Sequence, residues 1–546
     1  MNEPLTYDAQ EKVIIALDFG TTFSGIAFCF ADQAEPSVTS IQNWPGAEGR
    51  SAPKVPTLIN YDPSDKNTFT WGASIGWMNQ SESVVGVKLL LDPSQQMPHY
   101  LKITNVKRDI KKLPKPPVHI ACDYIGAMYK HALSEMTKAV TADYLAICQK
   151  QFVLSVPAVW SDAAKNATLM AAKMAGLHPV SLIKEPEAAA LYTLQSLNFS
   201  LKEGNVFVLC DAGGGTVDLI SYQVEAVLPR LQLKELVSGK GGMAGSIGLN
   251  KRFREAVENL VGPDQWHELQ KQKKALFQAE KQFETEVKAA FRGGESEEYL
   301  INFPMVKIDD DAENGLSCNC WTMTGRDVKD IFSPIIDDIL KFINEQVLEI
   351  RGIMLVGGFG GSQYLKTRVE KEHPNIQILQ PAEAWAAIVR DLRGAALSKM
   401  PRKAEVVSVC SDRHLGVEAM CPFDPMLDKD QPTSMTWYIY KDEDLRRDQT
   451  IKFPFFRTIE QAYNPQDLIF CDTLWECGDR VAPDHRCKGE KIKSNCVVTS
   501  DLREIDASNF TRKMVHYDLV ISVASANLNF SLEVKGKAMG SMQVQY

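Results

Sequence analysis

Short apolar runs that stop at aspartate or glycine recur between Val13 and Val356, separated by stretches whose apolar residues return at helical spacing. Val13-Ile-Ile-Ala-Leu17 ends at Asp18-Phe-Gly20-Thr-Thr22, and Gly25-Ile-Ala-Phe-Cys-Phe30 resumes the apolar pattern. This predicts a hairpin around a Gly/Thr turn. Residues 31–60 read as loop and further strand, with Trp44-Pro-Gly, Pro53 and Pro56 as breakers. Residues 92–117, rich in proline and lysine, read as loop. Tyr124, Met128, Leu133 and Met136 then predict one long amphipathic helix over Asp123–Cys148. Phe152–Val156 predicts a strand stopped by Pro157, Ser161-Asp162 a helix start and Gly176 its end. Val180–Ile183 predicts a strand that delivers Glu185 to a helix carrying Pro186 in its first turn.

The second half repeats the pattern. Val206–Leu209 leads into Cys210-Asp211-Ala-Gly213-Gly-Gly215-Thr-Val-Asp218, and Val217–Val224 continues as strand. A glycine cluster, Gly239–Ser246, precedes a helix over Leu249–Leu260, and residues 264–291 read as helical and highly charged. Ile353–Val356 is another apolar run ending in glycines, Gly357-Gly-Phe-Gly-Gly361-Ser362, before helices over Tyr364–Lys371 and Ala382–Leu397. From about residue 401 helical periodicity gives way to the alternation of half-buried strands, at Met435–Tyr440, Tyr517–Val523 and Leu528–Val534. The stretch 457–512 is polar and reads as irregular. Strand and helix alternating over the larger part predict an α/β fold with helices on the faces of mixed sheets, followed by a smaller β-rich C-terminal domain.

At 546 residues the chain is long enough for two to four domains. A formal charge of −9 without long runs of one sign gives no electrostatic case for nucleic acid or an anionic membrane. Met1–Lys12 lacks the apolar core of a secretory signal, and no apolar stretch approaches bilayer length. The twelve cysteines are scattered, which suits reduced thiols in a cytoplasmic protein. Cys471, Cys477, Cys487 and Cys496, with His485 among them, lack a C-x-x-C hook and read as loop thiols rather than a zinc site.

The two strand-Asp-Gly-Thr turns suggest one phosphorylated ligand held between similar halves. Glycines let backbone N–H groups approach phosphate oxygens without a Cβ in the way. Magnesium takes oxygen ligands and retains water, so Asp18 and Asp211 at strand ends suit it. Phosphoryl transfer needs amides around the phosphates, a cation and a group that orients water; Glu185 and Lys88 could supply the last two. Each residue has a plainer reading. Aspartate after a strand is a common turn, Glu-Pro a common helix start, and Lys88 in Val87-Lys-Leu-Leu-Leu91 could be a snorkelling surface lysine. The cluster at Gly239–Ser246 could cover a phosphate at a helix N-terminus or be plain loop.

Five segments, in this order, resemble the signatures of the Hsp70 nucleotide-binding domain: Leu17-Asp-Phe-Gly-Thr-Thr-Phe-Ser-Gly25, Leu154-Ser-Val-Pro-Ala-Val-Trp160 to Ala175-Gly-Leu177, Lys184-Glu-Pro-Glu-Ala-Ala-Ala-Leu-Tyr192, Asp211–Asp218 and Val356-Gly-Gly-Phe-Gly-Gly-Ser362. The resemblance spans about 13–397. Actins and sugar kinases share only the two phosphate turns and the adenosine turn. Within the family the chain most resembles the divergent branch typified by the Hsp70 member 12 proteins, in which a β-rich C-terminal segment replaces the usual substrate domain and lid. The resemblance implies a two-lobed actin-like ATPase with duplicated ribonuclease H-like lobes. It assigns 1–12 to a polar tail, 13–204 to lobe I, 205–400 to lobe II with its last helix returning to lobe I, and 401–546 to the β-rich domain with its irregular insert.

The resemblance also implies roles. Gly20, Thr21 and Thr22 would cradle the β- and γ-phosphates of ATP or ADP, joined by Gly213, Gly214, Gly215, Thr216 and Gly242. Asp18 and Asp211 would hold hydrated Mg²⁺, with Asp211 also a candidate proton acceptor, and Glu185 and Asp218 would complete the water and metal shell. Asp211, Lys88, Glu185 and Thr21 form the implied catalytic set. Gly357, Gly358 and Ser362 would flank the adenosine, as would Glu284 and Lys288, although their spacing is one residue longer than is usual in the family. The expected activity is slow ATP hydrolysis to ADP and phosphate that moves the lobes of a chaperone-like or partner-regulating protein. The alternatives are a nucleotide-sensing interaction protein with negligible turnover, a small-molecule kinase, for which no acceptor signature is visible, and a filament former. Client or regulatory proteins would meet the C-terminal domain. In place of an acidic, leucine-rich linker stands Lys399-Met-Pro-Arg-Lys-Ala-Glu405, and no long helical lid follows, so a peptide clamp coupled to ATP is not expected.

Overall fold

The computed structural model describes residues 11–31, 37–49, 51–76, 83–92, 113–196, 201–346, 350–380, 392–396, 398–399, 404–420, 433–447, 449–459, 464–486, 491–503, 514–538 and 541–546. The first sheet is built on β1 (Lys12–Asp18), β2 (Phe23–Phe30), β3 (Gln149–Val156) and β4 (Val180–Lys184). Its order is β2-β1-β3-β4, with β1 antiparallel to β2 and parallel to β3, and β3 parallel to β4. The second sheet contains β5 (Val206–Ala212), β6 (Val217–Ala226), β7 (Leu231–Gly242), β8 (Gly352–Val356) and β9 (Gln377–Leu379). Here β6-β5-β8-β9 repeats the path of the first sheet, again one antiparallel hairpin followed by two parallel neighbours.

Both sheets bury both faces, which is why their central strands read as unbroken apolar runs. Alternate residues go to different cores. Val13, Ile15 and Leu17 of β1 pack with helices α1 (Pro117–Ala139) and α2 (Asp162–Met174), whereas Ile14 and Ala16 face a core shared with Phe207 and Leu209 of β5. That shared core holds the buried alanines of α3 (Glu185–Ser196), small enough for the two sheets to approach across it. On the far face, Val208 and Cys210 of β5 pack with α4 (Ile247–Lys271), α5 (Lys273–Gln282), α6 (Gly325–Gln346) and α7 (Gln363–Glu372).

Beyond residue 400 the second sheet goes on growing. Strand β10 (Ala404–Cys410) pairs in parallel with β7, so the hydrogen-bonded ladder crosses the boundary expected at 400/401. The chain then runs through β11 (His414–Met420) and β12 (Thr433–Ile439) before β13 (Asp444–Arg446) returns to pair with β10. Two further sheets face each other across Leu415, Val417, Leu474, Val498, Phe453, Leu519 and Ile521. One has the order β12-β11-β15-β16-β19, with β15 (Ile469–Cys477), β16 (Ile492–Asp501) and β19 (Ser541–Gln545). The other joins β14 (Thr450–Thr458), β17 (Met514–Val523) and β18 (Leu528–Val534).

Several local expectations change. Strands β15 and β16 lie inside the stretch expected to be irregular; Cys496, Val498 and Ser500 alternate inward among polar neighbours, a pattern the polar composition hid. Cys471, Cys477 and Cys496 therefore stand on strands rather than loops, and Cys487 is outside the described residues. The helix expected to run to Cys148 breaks after Ala139, and a new one starts at Ala142 with Thr141 as its cap, its hydroxyl accepting from the Tyr144 amide. The two helices expected around 249–291 meet at a kink at Gly262, whose φ of 77° precedes Pro263. The helix expected over 382–397 falls mostly outside the described residues, of which 392–396 are helical. Among the described residues no helix is long and apolar enough to cross a membrane.

Ion pairs tie the C-terminal segments to the helices packed on the first sheet, and the first sheet to the second. Arg447, just past β13, donates to both carboxylate oxygens of Glu187 at 2.8 and 2.6 Å, and Ser525 donates to the same carboxylate. Arg413 bridges Asp162 at the start of α2 (3.1 Å) and Glu476 of β15 (3.0 Å). Lys184 of β4 reaches Glu235 of β7 at 2.9 Å.

Candidate functional site

Strand β1 ends at Asp18 and β5 carries Asp211 one residue before its end, and the turns that follow them face each other. Their approach is close enough to require glycine. A Cβ on Gly214 would stand 2.5 Å from Thr22 Oγ1, and one on Gly215 2.6 Å from Thr21 Oγ1. The second turn is closed by the Gly213 amide donating to Thr216 O at 2.9 Å. It is also held from behind, because Ser246 and Ile247 at the start of α4 donate their amides to Gly213 O and Gly214 O at 3.1 and 2.9 Å. A third turn comes from β8. Gly357 has φ 90°, and a Cβ there would meet Asp211 Oδ1 at 2.3 Å; beyond it, Phe359 and Gly360 donate to Ala212 O at 2.8 and 3.0 Å. Parallel pairing of β5 with β8 thus places the third turn beside the second.

These turns enclose a cavity of about 100 Å³ lined by Asp18, Gly20, Thr21, Thr22, Phe23, Lys54, Lys88, Glu185, Asp211, Gly213, Gly214, Gly215, Thr216, Gly357 and Gly358. The candidate residues named for phosphate and metal therefore meet in one place, with two exceptions. Gly242 lies at the end of β7 against Phe342, since the glycine cluster continues the strand instead of forming a loop. Asp218, one strand-end away, is buried behind the wall and accepts the Val159 amide at 3.1 Å. Lys88 is not a snorkelling lysine: it is 3% exposed, in a single tight helical turn, Val87–Leu91. Its ammonium pairs with Glu185 and lies 5.6 Å from the centroid of the Trp160 ring.

The electrostatics follow from burial. Asp18 is pushed up to about 6 chiefly because it is out of water, with Glu185 pushing the same way while Lys88 and a 2.9 Å hydrogen bond from Ser155 pull back. Asp218 rises to about 7 for the same leading reason, reinforced by Glu185. Burial pulls the Lys88 ammonium down, but Glu185 and Asp18 outweigh it and hold the group above its ordinary value. Three carboxylates, Glu185, Asp18 and Asp218, thus act on one lysine, with Asp211 on the wall of the same cavity. A divalent cation suits that excess of negative charge. Among the described residues no three carboxylates, thiols or imidazoles converge to hold a metal unaided, so an ion here would complete its shell with water and phosphate oxygens, as magnesium commonly does.

A larger cavity of about 910 Å³ adjoins the first and is lined by Ser246, Asn250, Glu284, Lys288, Gly358, Ser362, Lys366 and Gln380 among others. The extra residue in the spacing of this helix appears as a π-helical turn, Phe283–Val287, which holds one more residue per turn than the α-helical path. Glu284 and Lys288 pair at 2.6 Å, and Lys288 also donates to Asn250 Oδ1 at 3.1 Å. Ser362 caps α7, its hydroxyl accepting from the Leu365 amide at 3.3 Å. Lys54 and Asn250 carried no sequence signal, because each sits in a segment whose composition is that of any loop or helix, while Phe23 and Ser155 lie in motif segments but were given no role of their own.

A family model described as Hsp70 protein matches residues 14–373. The chain is 24% identical over 486 residues to heat shock 70 kDa protein 12A of Mus musculus, covering 72% of this chain and 70% of that one. To heat shock 70 kDa protein 12B of Homo sapiens it is 24% identical over 480 residues, covering 71% and 68%. A chaperone protein HscA homolog of Vibrio cholerae is 31% identical over 224 residues, 38% of this chain and 32% of that protein.

Proposed function

The chain belongs to the Hsp70 family, and from that premise we propose that it is an ATP-binding protein that hydrolyses ATP slowly with Mg²⁺ and uses the nucleotide state to shift two lobes, one built on each large sheet. The observation that carries this reading is the contact of the two glycine-threonine turns, with Thr21 and Thr22 against Gly215 and Gly214 and the Lys88–Glu185 pair beside them. A ligand spanning both cavities would lie with its phosphates among the turns and its base near Glu284, Lys288 and Ser362.

In this reading the amides of the Gly20–Thr22 and Gly213–Thr216 turns bind the phosphate oxygens, a fixed arrangement that needs no reorganisation as charge develops. A magnesium ion held by Asp18 and Asp211, partly through water, would supply neutralising charge at the terminal phosphates. Glu185 holds Lys88 in place and orients water, and Asp211 accepts the proton of the attacking water. Lys88, kept charged by Glu185, faces the terminal phosphate. Glu187, two residues beyond Glu185, is gripped by Arg447 and Ser525, so a shift of the β4–α3 junction on hydrolysis would reach the C-terminal sheets directly. Client or regulatory proteins would then sense nucleotide through those sheets. No described cysteine is joined in a disulfide, which supports a reducing, cytoplasmic setting.

The test is ATP binding and turnover by the full chain beside Asp211→Asn and Lys88→Ala. Loss of turnover with binding retained supports the catalytic assignment. Binding in all three with equal turnover would sink it. One observation favours the second reading, a nucleotide sensor with negligible turnover: Lys88 is already bound to Glu185, which limits its reach toward a terminal phosphate. Nucleotide-dependent partner capture by a wild type that does not turn ATP over would select that reading.

A further inference from the structure

Lys54 lies in Ala52-Pro-Lys-Val55, immediately before the two-residue strand Val55–Pro56 that pairs with Phe23 and Ser24. This pairing brings it alongside the turn containing Thr21 and Thr22, its ammonium 4.5 Å from the centroid of the Phe23 ring. Thr22, Phe23, Lys54, Gly214 and Gly358 line both the smaller cavity and the larger one, and Lys54 is the only charged side chain among them. It therefore stands at the neck through which any ligand filling both cavities must pass. Burial draws the Lys54 ammonium below its ordinary pKa, and Glu284 on the facing π-turn opposes this. A cation withdrawn from water in this way is stabilised by an anion beside it.

We propose that Lys54 is a nucleotide-contacting residue whose ammonium binds the inner phosphates of a nucleoside di- or triphosphate, making the site selective for phosphorylated ligands over nucleosides. The geometry gives the order of contacts: terminal phosphates among the glycine turns, inner phosphates at Lys54, and base beside Glu284 and Lys288. The proposal rests on the nucleotide reading above. It adds a second positive group, on the wall opposite the glycine turn of β5, that the phosphates would bring into the same charge system as Glu284.

The experiment is calorimetry on the full chain, wild type, Lys54→Met and Lys54→Arg, with Mg-ADP, Mg-ATP and adenosine, at low and high salt. Loss of one charge-assisted contact is expected to weaken ADP and ATP about tenfold, equivalent to about 1.4 kcal/mol, with adenosine unchanged and Lys54→Arg close to wild type. The difference between wild type and Lys54→Met should narrow in high salt, because salt screens an ionic contact and competes for the free ligand's charge. Equal weakening of all three ligands would assign Lys54 to the cavity wall and overturn the proposal, as would unaltered affinities in Lys54→Met. A wild type that binds none of the three ligands refutes the nucleotide reading itself, so the two failures are separable.

Discussion

Replacing Asp218 with asparagine tests the electrostatics of the site without disturbing its shape. Asp218 is 1% exposed and accepts the Val159 amide at 3.1 Å, a bond the asparagine carbonyl can keep. Its pKa stands at about 7 rather than 3.8, because burial and then Glu185 disfavour its charged form. At 1.36 kcal/mol per pH unit that difference amounts to about 4 kcal/mol. The folded chain holds this proton at pH values where the unfolded chain has already released it, so stability falls as pH rises from about 4 to about 7. Asp218→Asn removes the titration, and the ligand-free variant is therefore expected to gain on wild type by up to about 4 kcal/mol at pH 8 and by about 2 kcal/mol at pH 5. Urea unfolding of both proteins at pH 5, 6.5 and 8 measures the gap. Magnesium with nucleotide should narrow it at pH 8, since a nearby cation does for the carboxylate what the proton does. A gap that stays constant with pH would refute the reasoning, because a packing or hydrogen-bond effect does not titrate.

Gly215→Ala would put a Cβ 2.6 Å from Thr21 Oγ1, where ordinary contact begins at 3.4 Å. Parting the turns is expected to cost about 1–3 kcal/mol and to appear as lost nucleotide affinity; unaltered affinity would count against the facing turns as the ligand cradle. Arg447→Met leaves the buried Glu187 carboxylate without its bidentate partner and is expected to cost about 3–5 kcal/mol in denaturant unfolding, most of it recovered in Arg447→Met/Glu187→Met. A double variant as unstable as the single one would contradict the pairing. Ser161→Ala removes the cap that accepts from the Ala164 amide at 3.2 Å and should cost about 1 kcal/mol with nucleotide affinity unchanged.

The turns at Asp18–Thr22, Asp211–Asp218 and Gly357–Ser362 were legible in the sequence because each is a local pattern: an apolar strand that gives way to glycines, with an aspartate at the junction in the first two. The α/β character was legible for the same reason, since burial on both faces writes continuous apolar runs into β1, β5 and β8. The strands β15 and β16 were not. One face of each is polar, and the inward set includes Glu476 and Ser500, whose burial depends on partners elsewhere in the chain. Lys88 shows the same limit, because an isolated lysine in an apolar run fits a snorkelling surface position as well as a buried pair.

The sequence by itself determined the ordered series of strand-turn units, the helix start at Ser161, and membership of the Hsp70 family, all carried by residues near one another in the chain. Tertiary structure decided what those units face. It set Gly214 and Gly215 against Thr22 and Thr21, brought Glu185 to Lys88, joined Arg447 to Glu187 and ran β10 into the second sheet. These are contacts between distant segments, fixed by the packing of two sheets over a shared core of alanines, and local periodicity holds no record of which distant surface a side chain will meet.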